Sequence, residues 1–406
     1  MKPPNKRRDL RIIFGGDAEF SASGYAVELS WLMRRLLKEG FPTAQAAKAG
    51  LIGHWIDYNG LRMYPSINDP HGSDSYFYGA QHFNAHVVIT MIDVWVLDPN
   101  FLQQIKNAGR KLWFYMPIDA SPVPPGVLQK LPYADKIITF SKFGQKELAR
   151  HGFASEMIYE GVDMNELNIR SKEEARKKYG LPQDAFIWGM IAANKENPPR
   201  KGFEEALDAF KMFYDKHPEA ALMVHTQQIA PGNFPIMEYA TYLKINHRVY
   251  MSDQLFASIF CTRDDMVWLF NAFDGLLHPS QTEGFGLTVV EAESCGVPVV
   301  VNGTHSMPEL VVDGKTGSIA PTQKKRWTSG LTFWHPADVD KVYNSMEDVY
   351  QMVKENPDQV KKDCRDNVDK NFNIDTIFEE RWLPLFLDLQ EKLLPKLTTP
   401  IQTSKI

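Results

Sequence analysis

Short apolar runs alternate with longer stretches of helical periodicity from one end of the chain to the other. This is the pattern of α/β layers built on mostly parallel sheets. In the first half, strand-like runs fall at Leu10–Gly16, His86–Ile92, Lys111–Met116, Lys136–Ser141 and Glu156–Glu160. Helical spacing separates them, most clearly over Ala26–Lys38 and Phe101–Ala108. Tyr58-Asn-Gly60 reads as a hairpin turn within a stretch that is otherwise irregular to about residue 80. A charged segment, Arg170–Gly180, has the form of a polar helix closed by its glycine, with Leu181-Pro182 beyond it. The pattern restarts with the very apolar Phe186–Ala193, so a domain boundary is expected near residue 180.

The second half predicts strands at Ala221–Thr226, Arg248–Met251, Gly275–His278 and Val297–Val301, and helices at Phe203–His217, Thr262–Ala272 and Val289–Ser294. In the tail, Ile377–Leu397 carries Ile377, Trp382, Leu385, Phe386, Leu389, Leu393 and Leu394 at helical spacing, so one face must be buried. It is either a core helix of the second domain or a helix that crosses back onto the first.

A length of 406 residues is long for one hydrophobic core and comfortable for two. With 44% hydrophobic and 23% charged residues, the composition is that of a soluble globular protein. Lys+Arg 45 against Asp+Glu 50 gives a net charge of −5. That balance supplies no general field for polyanions and disfavours a dedicated nucleic-acid binder without excluding one. Cys261, Cys295 and Cys364 stand far apart with no CxxC pair, which fits a reducing compartment. Met1–Asp9 is basic, but the apolar stretch after it, Leu10–Phe14, is too short for a signal-peptide core. No run approaches the roughly 20 apolar residues that span a bilayer. A soluble, cytoplasmic protein is expected, with peripheral membrane contact through Lys6-Arg7-Arg8 left open.

The chemistry concentrates in residues 274–317. A strand, Asp274-Gly-Leu-Leu-His-Pro-Ser280, enters the loop Gln281-Thr-Glu-Gly-Phe-Gly-Leu287, and Thr288-Val-Val-Glu-Ala-Glu-Ser294 begins a helix. Gly284 and Gly286 permit a tight turn and close backbone approach, after which free helix amides point into a crevice at a strand's carboxyl end. Such a place binds anions, and a phosphate or diphosphate fits it. Glu283 precedes the turn and Glu291 lies eight positions later. One can accept from sugar hydroxyls on one side of the phosphates, while the other reaches a ribose. A capping role for Glu283 and a solvated helix position for Glu291 are the plainer alternatives.

The ordered string Pro279-Ser280, Glu283-Gly-Phe-Gly-Leu287, Glu291-Ala292, Gly296-Val-Pro-Val299, Pro308-Glu309 and Asp313-Gly-x-x-Gly317 strongly resembles the donor-site signature of retaining family 4 glycosyltransferases. The resemblance implies the GT-B architecture: two Rossmann-like domains facing a central cleft, with a C-terminal helix returning to the N-terminal domain. Residues 1–180 would bind acceptor, 181–375 a nucleotide-diphosphate sugar, and 376–406 would form the returning helix. It also implies donor contacts from Gly284, Phe285, Gly286, Leu287, Thr288 and Glu291. Arg200-Lys201-Gly202 looks like the family's basic grip on the diphosphate, and cations there oppose the helix dipole, so a purely structural role would be unusual. Lys195, in Ala193-Asn194-Lys195, stands where the family more often carries an arginine.

In the first half, Gly15-Gly16 and Ser23-Gly24-Tyr25 resemble the family's glycine-rich first loop, with Gly16 near the donor phosphates. Gly161-Val-Asp163 fits the pattern that stabilises the cleft. Where many members place a histidine near the sugar, this chain has Pro117-Ile-Asp119. Asp119 would then bond a sugar hydroxyl or orient the acceptor, unless it is only a turn residue before Ser121-Pro122. Asp93 is a similar candidate.

The implied activity is retaining transfer of a hexose from a UDP- or GDP-sugar to a sugar, lipid-linked or polymer acceptor. Glu283, Lys201, Arg200 and Asp119 would be the catalytic set, with no metal or other cofactor required. Alternatives are a transferase for modified DNA, using a basic patch at Lys324-Lys325-Arg326, a non-catalytic nucleotide-sugar-binding protein, and an epimerase of the same architecture. Asp338-Val-Asp340 resembles a metal-binding Asp-x-Asp but reads as a helix cap. His82, His86 and His278 share no metal-ligand spacing with carboxylates. Trp327–His335 reads as an insertion whose two tryptophans contact a sugar or simply pack.

Overall fold

A computed structural model describes residues 8–228 and 232–394, so Lys6 and Arg7 of the basic N-terminal run lie outside the described residues. The first sheet has eight strands: β1 (Ile12–Gly16), β2 (Thr43–Ala47), β3 (Ile56–Tyr58), β4 (Leu61–Pro65), β5 (Val87–Met91), β6 (Lys111–Met116), β7 (Lys136–Thr139) and β8 (Glu156–Met157). Their order is β3-β4-β2-β1-β5-β6-β7-β8, parallel except for the β3/β4 hairpin. Helices cover both faces, so β1, β5 and nearly all of β6 are buried, which is why they stand out as continuous apolar runs.

The expected hairpin turn is present, with Asn59 at φ 49° and Gly60 at φ 81°, the left-handed pair that a two-residue turn requires. The irregular stretch expected around it is instead ordered. It holds β2, β4 and a helix at Ser73–Phe83. β2 reads Thr-Ala-Gln-Ala-Ala, a sequence of helix formers, and becomes a strand because β1 and β4 pair with it on both sides. Its buried Gln45 donates to Asp17 O at 2.7 Å and accepts from Glu19 N at 3.1 Å, holding the loop after β1.

The second sheet is all parallel: β9 (Ile187–Ile191), β10 (Ala221–His225), β11 (Val249–Met251), β12 (Gly275–His278), β13 (Val299–Asn302) and β14 (Gly317–Ala320). The order β11-β10-β9-β12-β13-β14 reverses direction between β9 and β12. In the first sheet the reversal lies between β1 and β5. Ligands bind outside strand carboxyl ends at such switch points, and here the two switch points face one cleft.

The tail crosses back onto the first domain. It runs as Ile374–Ile377, a wider turn at Phe378–Trp382 and the helix Leu383–Leu393. Trp382 meets Tyr115 edge-on at 4.9 Å, and Phe386 lies near Trp113 at 5.8 Å and Phe41 at 6.1 Å. Val162, in the Gly161-Val-Asp163 segment, donates to Phe372 O at 2.8 Å and accepts from Ile374 N at 3.0 Å. Arg35 joins Asp163 at 2.9 Å to Asp375 at 2.7 Å. The Trp327–His335 segment contains a hairpin, β15 (Arg326–Trp327) with β16 (Phe333–Trp334). It bridges the cleft, since Phe333 N donates to Ser121 O at 3.1 Å and Thr332 Oγ1 to Pro122 O at 2.9 Å.

Candidate active site

The loop between β12 and the helix Leu287–Ser294 brings Gly286 to the helix cap position at φ 115°, and no side chain caps that end. Glu283 therefore does not act as the cap. Its Oε1 lies 2.5 Å from Lys201 Nζ and 3.0 Å from His278 Nε2, and the residue is 8% exposed. Ser306 Oγ donates to the carbonyls of Glu283 at 2.9 Å and Phe285 at 2.8 Å, which fixes the turn.

Lys201 arrives on the loop after β9. Gly202 there has φ 75°, and a Cβ on it would meet Pro279 O at 2.4 Å, so the two loops cross with no room for a side chain. Gln281 N donates to Arg200 O at 2.8 Å, and Arg200 Nη1 to Thr282 O at 2.9 Å. Gly202→Val is expected to destabilise the protein by at least about 1–3 kcal/mol from backbone strain alone. The same variant should part Lys201 from Glu283, and a urea unfolding curve matching wild type would contradict the crossing.

Burial would raise the Glu283 carboxyl, but Lys201, His278 and Arg200 together hold it well below the usual range. It is an ionised carboxylate. Burial lowers Arg200 as well, yet Glu283, Asp119, Glu196 and Asp93 more than offset this. On the first-domain side, burial raises Asp119, with Arg200 pulling the other way. Burial and then Asp119 push Asp93 up to about 6. The structure thus brings Arg200, Lys201, Glu283, Asp119 and Asp93 into one electrostatic cluster, with Tyr25 beside them.

Other sequence candidates take different places. A Cβ on Gly284 would meet Pro117 Cβ at 2.3 Å, so this glycine allows the loop after β12 to touch the Asp119 loop. Gly16 is buried, and a Cβ there would meet Leu29 Cδ1 at 2.4 Å, a packing need of the helix Gly24–Lys38. Phe285 turns toward Tyr159 and Phe372, each at 5.9 Å. Leu287 and Thr288 form the half-buried first turn, with Leu287 Cδ2 3.6 Å from where a Cβ on Gly24 would stand. Burial pushes Glu291 up to about 7 against the pull of Arg263. Lys195 is exposed on the loop after β9. Asp338 occupies a helix cap position but makes no capping bond there, and lies 3.7 Å from Lys324.

Two partners escape sequence reasoning. Arg263 reaches from the second domain to Glu19 O at 3.1 Å and Ser30 Oγ at 2.7 Å, across the cleft. His278 orients Glu283 from the end of β12, and only its strand-end position hints at this. Among the described residues, no group of three or more His, Cys, Asp or Glu is placed to hold a metal ion, and no helix is long and apolar enough to cross a membrane.

Two Rossmann-like sheets with opposed switch points, a charged seam and a returning tail define the GT-B fold. Sucrose-phosphate synthase from Thermosynechococcus elongatus shares it with a TM-score of 0.74 at 16% identity, over 94% of this chain and 100% of that one. HepE from Anabaena, solved in complex with UDP and glucose, gives 0.69 at 17% identity over 93% and 99%. Residues 171–333, which hold Lys201 and Glu283, match the family model for glycosyl transferases group 1. D-inositol 3-phosphate glycosyltransferase from Streptomyces bingchenggensis is 27% identical over 194 residues, 46% of this chain and 42% of that protein. Its counterpart from Mycolicibacterium smegmatis is 26% identical over 226 residues, 54% and 48%. The matches span about half the length of these curated relatives. The chain therefore has a GT-B fold and resembles the group 1 glycosyl transferases.

Proposed function

We propose that this chain is a retaining glycosyltransferase that moves a hexose from a UDP- or GDP-sugar to an acceptor hydroxyl. The observation that carries this reading is the meeting of Lys201 and Glu283 beside the uncapped N-terminus of Leu287–Ser294. The neighbour solved with UDP and glucose, and relatives named as glycosyltransferases, support it. Residues 1–180 bind acceptor, 181–375 bind donor, and the 376–406 tail, described as far as residue 394, packs back on the N-terminal domain. The acceptor is a sugar, free, lipid-linked or polymeric, and the reaction takes place in the cytoplasm.

The donor diphosphate rests on the backbone amides of 284–288, where amide dipoles favour negative charge. Lys201 and Arg200 meet the charge that builds on it as the glycosidic bond breaks. Glu283, ionised and held on two sides, accepts from the sugar hydroxyls, and Glu291 accepts from the ribose. Asp119, from the opposite wall, bonds a sugar hydroxyl or orients the acceptor. The leaving phosphate takes the acceptor proton on the face it departs from, which retains configuration. Domain closure excludes water so that transfer outcompetes hydrolysis.

Screening UDP-, GDP- and ADP-sugars for hydrolysis and thermal stabilisation tests the reading, and absence of both with every donor would refute it. Within the site, Glu283→Gln is expected to lower turnover by about tenfold or more while bare UDP affinity holds, because the residue is assigned to the sugar. Parallel loss of UDP binding in calorimetry would contradict that role.

A further inference from the structure

The segment Trp327–His335 has no role in the mechanism above, and its two tryptophans take different places. Trp334 is half-buried, while Trp327 is 54% exposed. The backbone that displays Trp327 is nonetheless held along its length. Thr328 N donates to Thr332 O at 3.0 Å and Leu331 N to Thr328 O at 3.1 Å, which closes the hairpin tip. At the other end His335 N donates to Gln281 O at 2.9 Å, two residues before Glu283, and Asn302 Nδ2 donates to His335 O at 2.8 Å. On the first-domain side, β16 and the residue before it are bonded to Ser121 O and Pro122 O.

Register decides which side chains share a face. Trp327 pairs with Phe333 across the hairpin, and Phe333 pairs in turn with Ser121 of the first domain. Directly opposed residues on antiparallel strands project to the same side, so Trp327, Phe333 and Ser121 form one row. The inner end of that row lies two residues from Asp119. The Trp327 and Phe333 rings meet edge-on at 4.8 Å, and Lys325 Nζ lies 5.8 Å from the centre of the Phe333 ring. The basic run 324–326 is not one patch. Lys324 lies 3.7 Å from Asp338, and Arg326 pairs with Trp334 on the opposite face, where its Nη1 is buried. Lys325 is exposed and makes no ion pair among the described residues.

We propose that this row is an acceptor subsite for a sugar that carries a phosphate, with Trp327 under the sugar ring and Lys325 paired to the phosphate. This inference rests on the glycosyltransferase reading above and names the acceptor class for it. A sugar ring turns C–H groups of partial positive charge to one face, and the negative face of an indole attracts them while the hydroxyls stay at the rim. One free cation beside the ring suits one anionic group. It makes no basic stripe of the kind that a nucleic-acid backbone needs. A sugar seated on Trp327 borders the same loop to which the mechanism gives acceptor orientation, because Ser121 continues the row.

The experiment is calorimetric titration of the full chain, first with UDP, GDP and ADP and then, with the nucleotide bound, with glucose 6-phosphate and mannose 6-phosphate. Glucose, mannose and inorganic phosphate are titrated alongside. Wild type should bind a hexose phosphate about tenfold more tightly than its parent sugar or inorganic phosphate. Trp327→Ala should weaken the sugar phosphate about tenfold, and Lys325→Gln should bring it to within about threefold of the parent sugar. Raising the salt concentration should weaken binding to wild type more than to Lys325→Gln. Melting curves establish that the variants are folded. A wild type that binds neither hexose phosphate better than its parent sugar, or binds inorganic phosphate as tightly, would overturn the inference. Variants that bind the sugar phosphate as wild type does would overturn it as well. If wild type binds none of the three nucleotides, the donor reading itself falls, an outcome distinct from a chain that binds nucleotide and is indifferent to sugar phosphates.

Discussion

Replacing Lys201 with alanine is expected to lower turnover about a hundredfold or more in a chain that stays folded. Removing one preorganised contact to developing charge costs about 3 kcal/mol in the transition state. In the proposed site Lys201 would be such a contact twice over, facing the leaving diphosphate and also holding Glu283 at 2.5 Å. The fold should survive because His278 at 3.0 Å and Arg200 continue to stabilise the Glu283 carboxylate. Donor turnover and a melting curve on the same preparation give the result. Near-wild-type turnover in a folded Lys201→Ala variant would remove the donor-site assignment. A double-mutant cycle with Glu283→Gln would then separate pairing from catalysis, because residues acting as a unit are strongly non-additive.

The largest stability effect is expected at Trp382. It is 0% exposed and meets Tyr115 edge-on at 4.9 Å. It also stacks with Phe386 at 5.9 Å and 14° between planes. Truncating a buried tryptophan to alanine costs about 3–5 kcal/mol, from lost transfer free energy and the cavity left behind. Trp382→Ala should lower the urea midpoint accordingly and loosen the tail from the first domain, while leaving the loop at 283–287 untouched. A loss below about 1 kcal/mol would mean that the returning helix contributes little to holding the domains together.

The strands that the sequence exposes most clearly are those buried on both faces. Lys111–Met116 is recovered residue for residue, because a helix-covered parallel strand must be apolar throughout. Thr43–Ala47 escapes, since its alanines and glutamine favour a helix locally and only pairing with β1 and β4 makes it extended. The helix Ser73–Phe83 escapes for a related reason. Its serines, aspartate, glycine and aromatics are poor helix formers, and the loop before it is held by the Asp74 carboxylate, which accepts from Asn68 N at 2.7 Å and from Ile67 N and Asp69 N at 3.1 Å. The turn at 283–287 is legible because its requirements are local: glycines for the turn, a glutamate before it, a helix after it.

The sequence alone therefore determined the α/β pattern, the restart near residue 180, the amphipathic tail and the glycine turn with Glu283 and Glu291. Each of these is a property of near neighbours along the chain, where periodicity and backbone freedom act directly. The tertiary structure alone decided that Lys201 meets Glu283 and that Arg263 and the hairpin at Trp327–Trp334 bridge the cleft. It also decided that the tail lies on the first domain and that Glu160 is buried. Those facts depend on loops brought together from strand ends far apart in the chain, and on the burial and charge of whatever surrounds them after packing, neither of which spacing records.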